Sequence, residues 1–224
     1  MKIFSRMKKS LVLSLMYLLP LVSNAQWRIG VTGGGSYNVI SADKHYMIDY
    51  DYDGRWGGTV GITGGYDFNS WFGLRADINW TQKNYRFSRD YMVVDHKNTN
   101  NYFQMPVMSS FRFGSQKFHG FCNLGVYGGY WSSGRIRGFD THVFNNKIYY
   151  FKKKYEFNDE RDQRWDFGLV GGLGMEYMIS SHWAAQVELR YYYSTTSTRK
   201  DNSINYDPNY NSTTTIQGGI SYIF

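Results

Sequence analysis

Trp165-Asp166-Phe167-Gly168-Leu169-Val170-Gly171-Gly172-Leu173-Gly174-Met175-Glu176-Tyr177 is the stretch on which the fold turns. Trp165, Phe167, Leu169, Leu173, Met175 and Tyr177 alternate with Asp166, Gly168, Gly172, Gly174 and Glu176. A period of two belongs to a strand, because successive side chains of a strand leave on opposite faces. One face is apolar and aromatic; the other carries two carboxylates among glycines.

The same pattern recurs on both sides of this stretch. Trp27, Ile29 and Val31 alternate with Arg28, Gly30 and Thr32, and Val60, Ile62, Tyr66 and Phe68 with Thr59, Gly61, Thr63 and Asp67. Phe72, Leu74, Ala76, Ile78 and Trp80 are interleaved with Arg75, Asp77, Asn79 and Thr81. Phe103, Met105, Val107, Phe111 and Phe113 oppose Gln104, Ser110 and Arg112, with Pro106 as the one residue that strands tolerate poorly. Cys122, Leu124, Val126 and Tyr130, then Trp183, Ala185, Val187, Leu189 and Tyr191, then Ile216, Ile220, Tyr222 and Phe224 complete the set, with Glu188 and Arg190 on the polar side. These patterns predict eight strands.

A soluble sandwich or a lipocalin also alternates, so the chemistry of the faces has to decide. Charges stand at regular positions on one face: Arg28, Asp67, Arg75, Asp77, Arg112, Asp166, Glu176, Glu188 and Arg190. The other face ends in aromatic residues such as Trp27, Phe72, Trp80, Trp165, Trp183 and Phe224, the distribution of interfacial girdles. The expectation is an all-β, eight-stranded, antiparallel up-and-down transmembrane β-barrel with its charges turned inward. Eight strands leave room for packed side chains but not for a wide channel. Intramembrane charges must be paired, so Asp67, Arg75, Asp77, Arg112, Asp166, Glu176, Glu188 and Arg190 are expected to form an interior network, with Asp67 diagonal to Arg75 across the first turn.

Short turns near Asn69-Ser70, Gly114 to Lys117 and Ser180 to His182 contrast with four long polar connections, Asn38 to Trp56, Arg86 to Asn101, Gly134 to Arg164 and Thr195 to Asn211. In barrels of this kind the short turns are periplasmic and the long loops extracellular.

The leader agrees with export. Lys2, Arg6, Lys8 and Lys9 precede an apolar run, Leu11 to Val22, too short to span a bilayer as a helix, and Ser23 and Ala25 suit a cleavage site. Residues 1–25 are therefore read as a signal peptide and 26–224 as the barrel domain. No Cys stands at the cleavage point to take a lipid anchor, and the single Cys122 leaves no internal disulfide. Four of the seven excess positive charges sit in the leader, which removes the support for nucleic-acid binding. With 21 Tyr, 15 Phe, 7 Trp and 24 Gly, and 3 Pro, the composition is that of strands rather than a helical bundle.

At this point the residues resemble a known family. Trp165 to Tyr177 is similar to the aromatic-Asp-Phe-Gly … Gly-x-Gly-x-Glu-Tyr strand of the PorT-like outer-membrane β-barrels, and Tyr102-Phe103-Gln104-Met105-Pro106-Val107 to that family's fourth strand. Asn24-Ala25-Gln26 ends a leader of its type, and Tyr222-Ile223-Phe224 resembles the terminal signal read by the barrel-assembly machinery. The resemblance implies an integral outer-membrane barrel without known catalysis and without a cofactor. One member of the family serves protein secretion, a role these residues do not distinguish.

Among candidate sites, Asp49, Asp51, Asp53 and Gly54 imitate the start of a calcium loop, but the twelfth position is Val60 where a bidentate Glu belongs. His45 near Ser41 and Asp43, and His96 after Asp95, supply the residue types of a hydrolytic site without spacing that enforces proximity, while His119 and His182 lie at the other end. Lys152 to Lys154 with Arg135 and Arg137 read first as a solvated charge run, with contact to lipopolysaccharide phosphates or to an external partner as the alternative. Tyr149, Tyr150, Phe151, Tyr155 and Phe157 add a protein-binding surface or a strand extension to the same loop. The expected function is non-enzymatic, structural or surface-interacting. Its alternatives are a narrow porin-like channel, a secretion accessory and a lipid-modifying enzyme.

Overall fold

The computed structural model describes residues 26–42, 51–89, 93–141, 147–200 and 208–224. Ten strands lie among them: β1 (Gln26–Ala42), β2 (Asp51–Asp67), β3 (Phe72–Gln82), β4 (Asn84–Arg89), β5 (Val94–Gly114), β6 (Phe118–Thr141), β7 (Ile148–Lys154), β8 (Trp165–Met178), β9 (Trp183–Ser194) and β10 (Asn209–Ile223). All pairings are antiparallel, and eight of the strands close a ring in the order β1-β2-β3-β5-β6-β8-β9-β10. The ring shuts where the first strand meets the last, from Arg28↔Ile223 to Ala42↔Asn209.

The other two strands correct the expected count. β4 continues β3 past Lys83 and fills the space between β2 and β5, and β7 lies against β6 alone. Most of β4 and all of β7 fall in segments read from sequence as long connections, although a strand extension was one reading of the aromatic residues in β7, and β5 and β6 also run deep into those segments, to Val94 and Thr141. The reason is physical. At about 3.4 Å per residue, 21 residues of β5 exceed by far the ~25 Å apolar band of a membrane barrel, even when tilted. Beyond that band both faces are wet, so hydrophobic alternation fades while backbone pairing continues.

Inside the band the faces separate sharply. Trp27 is 65% exposed and its neighbour Arg28 8%. Ile29, Val31, Leu124, Val126, Leu169, Leu173, Met175, Val187 and Leu189 all point outward, while Asp77, Glu188, Arg190 and Gln104 are buried within. The barrel is thus inverted relative to a soluble one: its outer wall is greasy and its core is polar. A small apolar cluster, Met108, Tyr127, Val170 and Tyr192, is the exception inside.

Local chemistry explains the turns. The Asn69 side-chain oxygen accepts from the N–H groups of Trp71 and Phe72, closing the β2–β3 hairpin. Gly114 ends β5 at φ 123°, a conformation that only glycine adopts without strain. Pro106 is accommodated because the β3–β5 ladder skips the positions between Ala76↔Val107 and Asn79↔Gln104 while pairing with β6 continues through Pro106↔Tyr127.

Candidate functional site: an ion-paired lumen beneath an open cup

The inward residues build three layers of ion pairs. At the short-turn end, Arg28 donates to Asp67 at 3.1 Å and to Glu176 at 2.5 Å; Arg112 shares Asp67, and His119 meets Glu176 at 2.9 Å. In the middle, Arg190 bridges Asp77 at 2.8 Å and Glu188 at 2.7 Å, and Arg75 reaches the same two carboxylates at 3.0 and 3.3 Å. Asn123 and Gln217 donate to Glu188, so its lone pairs are filled. Gly172 faces this carboxylate so closely that a Cβ would displace it. In the third layer, Lys83 pairs with Asp166, which also accepts from the hydroxyls of Tyr127 and Ser194.

These layers balance. Arg28, Arg75, Lys83, Arg112 and Arg190 face Asp67, Asp77, Asp166, Glu176 and Glu188, cation for carboxylate, among the described residues. A buried ion pair that loses a partner costs about 3–5 kcal/mol, so an ion passing between them would have to break contacts of that size.

Two differences from the sequence reading stand out. Asp67 does lie diagonal to Arg75 in register, with Gly65↔Arg75 and Asp67↔Gly73, yet it turns to Arg28 and Arg112 instead, and Arg75 turns to Asp77 and Glu188. Lys83 was overlooked, although it continues the inward parity of Asp77, Asn79 and Thr81; that parity was the available signal. His119, which the sequence reading put at the short-turn end without a partner named, pairs with Glu176 in the first layer.

Above the third layer the lumen opens. Tyr102 and Trp131 stack at 5.8 Å, nearly parallel, and form a floor; Tyr155 and Phe157 pack on Trp131 at 4.8 and 4.9 Å. Over this floor lies a cavity of about 820 Å³ lined by Tyr85, Trp131, Tyr155, Arg161, Asp162 and Arg199, among others. Its wall is pinned: Asp162 accepts from Arg161, from the Tyr155 hydroxyl and from the Asn158 N–H, and its strand bridge to Arg199 joins two connections. Burial works against the Asp162 charge, but the Arg161 hydrogen bond leads the contacts that hold its carboxyl below the usual range. Burial, with Asp162 beside it, pushes the Tyr155 hydroxyl up to about 12.

The remaining candidates are dispersed. Asp49 and His45 lie outside the described residues. Asp51 and Asp53 belong to strand β2 rather than to a loop, opposite Ser88 and Arg86, and Asp53 stands 3.7 Å from Arg86. Among the described residues no group of three or more His, Cys, Asp or Glu side chains could hold a metal. His96 does not use Asp95, which alternates to the other face and pairs with Arg86; it meets Asp140 at 2.6 Å across the strands. Ser41 sits in β1 opposite Tyr210. Tyr222 packs against Trp183 and Phe224, and the Phe224 N–H donates to the Trp27 carbonyl at 2.9 Å.

The family whose sequence pattern matches is described as the outer membrane protein beta-barrel domain, over residues 10–224. No curated protein matches the sequence. Among solved structures the chain is similar to the outer membrane protein OprG from Pseudomonas aeruginosa, at 14% identity and a TM-score of 0.51, covering 88% of this chain and 95% of that one. It is also similar to the outer membrane protein AlkL, at 12% identity and 0.51, covering 89% and 90%. Neisserial surface protein A is similar at 13% identity and 0.48, covering 89% and 99%. At these identities the likeness speaks for the fold alone.

Proposed function

The chain belongs to the outer membrane protein beta-barrel domain family and resides in the outer membrane, and from that premise we propose a non-enzymatic, plugged barrel that serves surface recognition through the cup at its long-connection end. The balanced, hydrogen-bonded interior carries this reading, because it closes the lumen at three levels while leaving the aromatic cup open above Trp131. The long-connection end is then extracellular and the short turns periplasmic. Residues 1–25 are the signal removed on export, and Tyr222 and Phe224 are the features that the barrel-assembly machinery engages. The PorT-like subgroup is favoured by Trp165–Tyr177 and by Tyr102–Val107.

A cavity of this size, with planar aromatic walls and a few fixed polar groups, has the character of a small-ligand or side-chain pocket. Catalysis has no comparable support: His96 and Asp140 form a pair with no serine, threonine or cysteine nucleophile bonded to it among the described residues. Planar-bilayer recording of the purified barrel is the test. Silence apart from brief flickers is expected, and sustained large open steps would overturn the closed lumen.

A further inference from the structure

Strand β6 changes its facing partway along. The register with β5 runs through Tyr102↔Trp131, then resumes at Asn101↔Ser133, so Ser132 is an extra residue, a β-bulge. Below it Tyr130 points outward and packs on Trp165 in the aromatic girdle. Uninterrupted alternation would turn Arg135 and Arg137 inward and Ile136 outward. The bulge reverses this: Ile136 lines the cup, and Arg137 lies on the outer wall with Lys97 and Lys152.

The result is a row of like charges. Arg137 stands directly opposite Lys97 on one side and Lys152 on the other, and Arg135 stands opposite Lys154. Arg86, next in the row beyond Lys97, is already held by Asp95 at 2.9 Å, and that hydrogen bond keeps the Asp95 carboxyl below its ordinary range. Lys97, Arg135, Arg137, Lys152 and Lys154 form no ion pair among the described residues. Like charges directly opposite one another destabilise a sheet, so the arrangement calls for an anion from outside the chain. Lysines on an edge strand deter edge-to-edge pairing, which would account for β7. It does not account for Lys97 and Arg137, whose strands are paired on both sides at this level.

We propose that Lys97, Arg135, Arg137 and Lys152 form an outer-wall site for the phosphates of outer-leaflet lipid of the lipopolysaccharide type. The site faces sideways, along the membrane plane rather than into the cup. Its height fits: Arg135 is five residues beyond the girdle residue Tyr130, one of them the bulged Ser132, so the four extended steps rise about 10 Å along the membrane normal for a strand tilted by ~40°, and long cationic side chains reach back over much of such a distance. The guanidinium groups offer bidentate geometry to phosphate, and a lipid with several phosphates can engage the whole row. This inference rests on the outward placement of the long-connection end.

The test uses the mature full-length protein in phosphatidylcholine nanodiscs, with retention of bisphosphorylated lipid A read by native mass spectrometry. Wild type is expected to retain it, the Lys97→Gln/Arg137→Gln/Lys152→Gln variant at least tenfold less, and the charge-keeping Lys97→Arg/Lys152→Arg variant nearly as well as wild type. Lys117→Gln, at the opposite end, is the control. Equal retention by the triple variant, equal retention of dephosphorylated lipid A, or competition by inorganic phosphate at equal concentration would each overturn the site. Because nanodiscs expose both ends, orientation is read separately: a Lys152→Cys variant in intact cells should react with an impermeant maleimide, and failure there would count against the topology and leave lipid retention as measured.

Discussion

Lys83 Nζ lies 2.5 Å from a carboxylate oxygen of Asp166, so the single residue between β3 and β4 is tied across the lumen to the start of β8. The ammonium also sits over the rings of Tyr102 and Tyr127, at 4.9 and 5.2 Å. One side chain therefore joins the uppermost ion layer to the aromatic floor of the cup. The upper ion layer and the shape of the cup are mechanically one feature.

Replacing Lys83 with Met should leave Asp166 buried with only neutral hydrogen-bond donors. A loss of about 3–5 kcal/mol is expected, the size measured when one member of a buried pair is removed. Asp166→Asn in the same background should recover much of it, because the uncompensated charge is then gone. Urea titration of the folded barrel in lipid, followed by the heat-dependent gel shift, measures both; an unchanged midpoint for Lys83→Met would show that the pair is not closed in the membrane.

Arg190 bridges Asp77 and Glu188, and its truncation should act differently from that of Lys83. Arg75 remains beside both carboxylates, so Arg190→Met is expected to be destabilising, with the unsatisfied charge drawing water into the middle layer. Flickering conductance should become frequent in planar bilayers, well above the brief flickers expected of wild type. Adding Asp77→Asn to Arg190→Met should reduce the flicker and restore part of the stability.

How much of this was legible follows from where each signal stops. Arg75, Asp77, Glu188 and Arg190 stand on strands whose alternation is unbroken, and their inward facing could be read directly. Partners two residues apart on one strand, Arg75 with Asp77 and Glu188 with Arg190, follow from the same spacing; partners across the lumen do not, because Arg28 with Glu176, or Arg190 with Asp77, join strands that are not neighbours in the sheet, and a pattern within one strand carries no information about the opposite wall. Most of β4, and β7 apart from the strand extension offered for Tyr149, Tyr150 and Phe151, were read as loops because wet strands lose their apolar face. Arg135 and Arg137 were misplaced into a generic loop charge, since a single extra residue, Ser132, reverses their facing without leaving a composition signal.

The clamp around Asp162 gives a pH prediction with a definite sign. Its carboxyl is held below the ordinary range, so the stability it contributes is present above the unfolded value, about 3.9, and is lost only as pH falls through the lower folded value. Tyr155 is raised to about 12, so its protonated form contributes below the unfolded value of about 10 and is lost as pH rises through the folded one. Trp131 emission, which reports the packing of Tyr155 and Phe157, should stay flat from about pH 5 to 10. A phenolate absorbance component with a midpoint near 12 should vanish in Tyr155→Phe; its persistence would reassign it to another tyrosine.

Phe224 separates a role in assembly from a role in the finished wall. In the folded barrel it contributes one backbone hydrogen bond to Trp27 and one edge contact with Tyr222, while the ring closure between β1 and β10 extends over fifteen register pairs. Phe224→Ala keeps the backbone hydrogen bond and most of that ladder, so its effect on stability should be modest, about 1 kcal/mol, as for an aromatic pair contact at an exposed position. If the terminal aromatic is what the assembly machinery recognises, the same substitution should lower the amount of heat-modifiable barrel in the outer membrane several-fold in cells, while refolding of the purified chain into detergent keeps its yield. A parallel fall in both measurements would assign Phe224 to the wall alone.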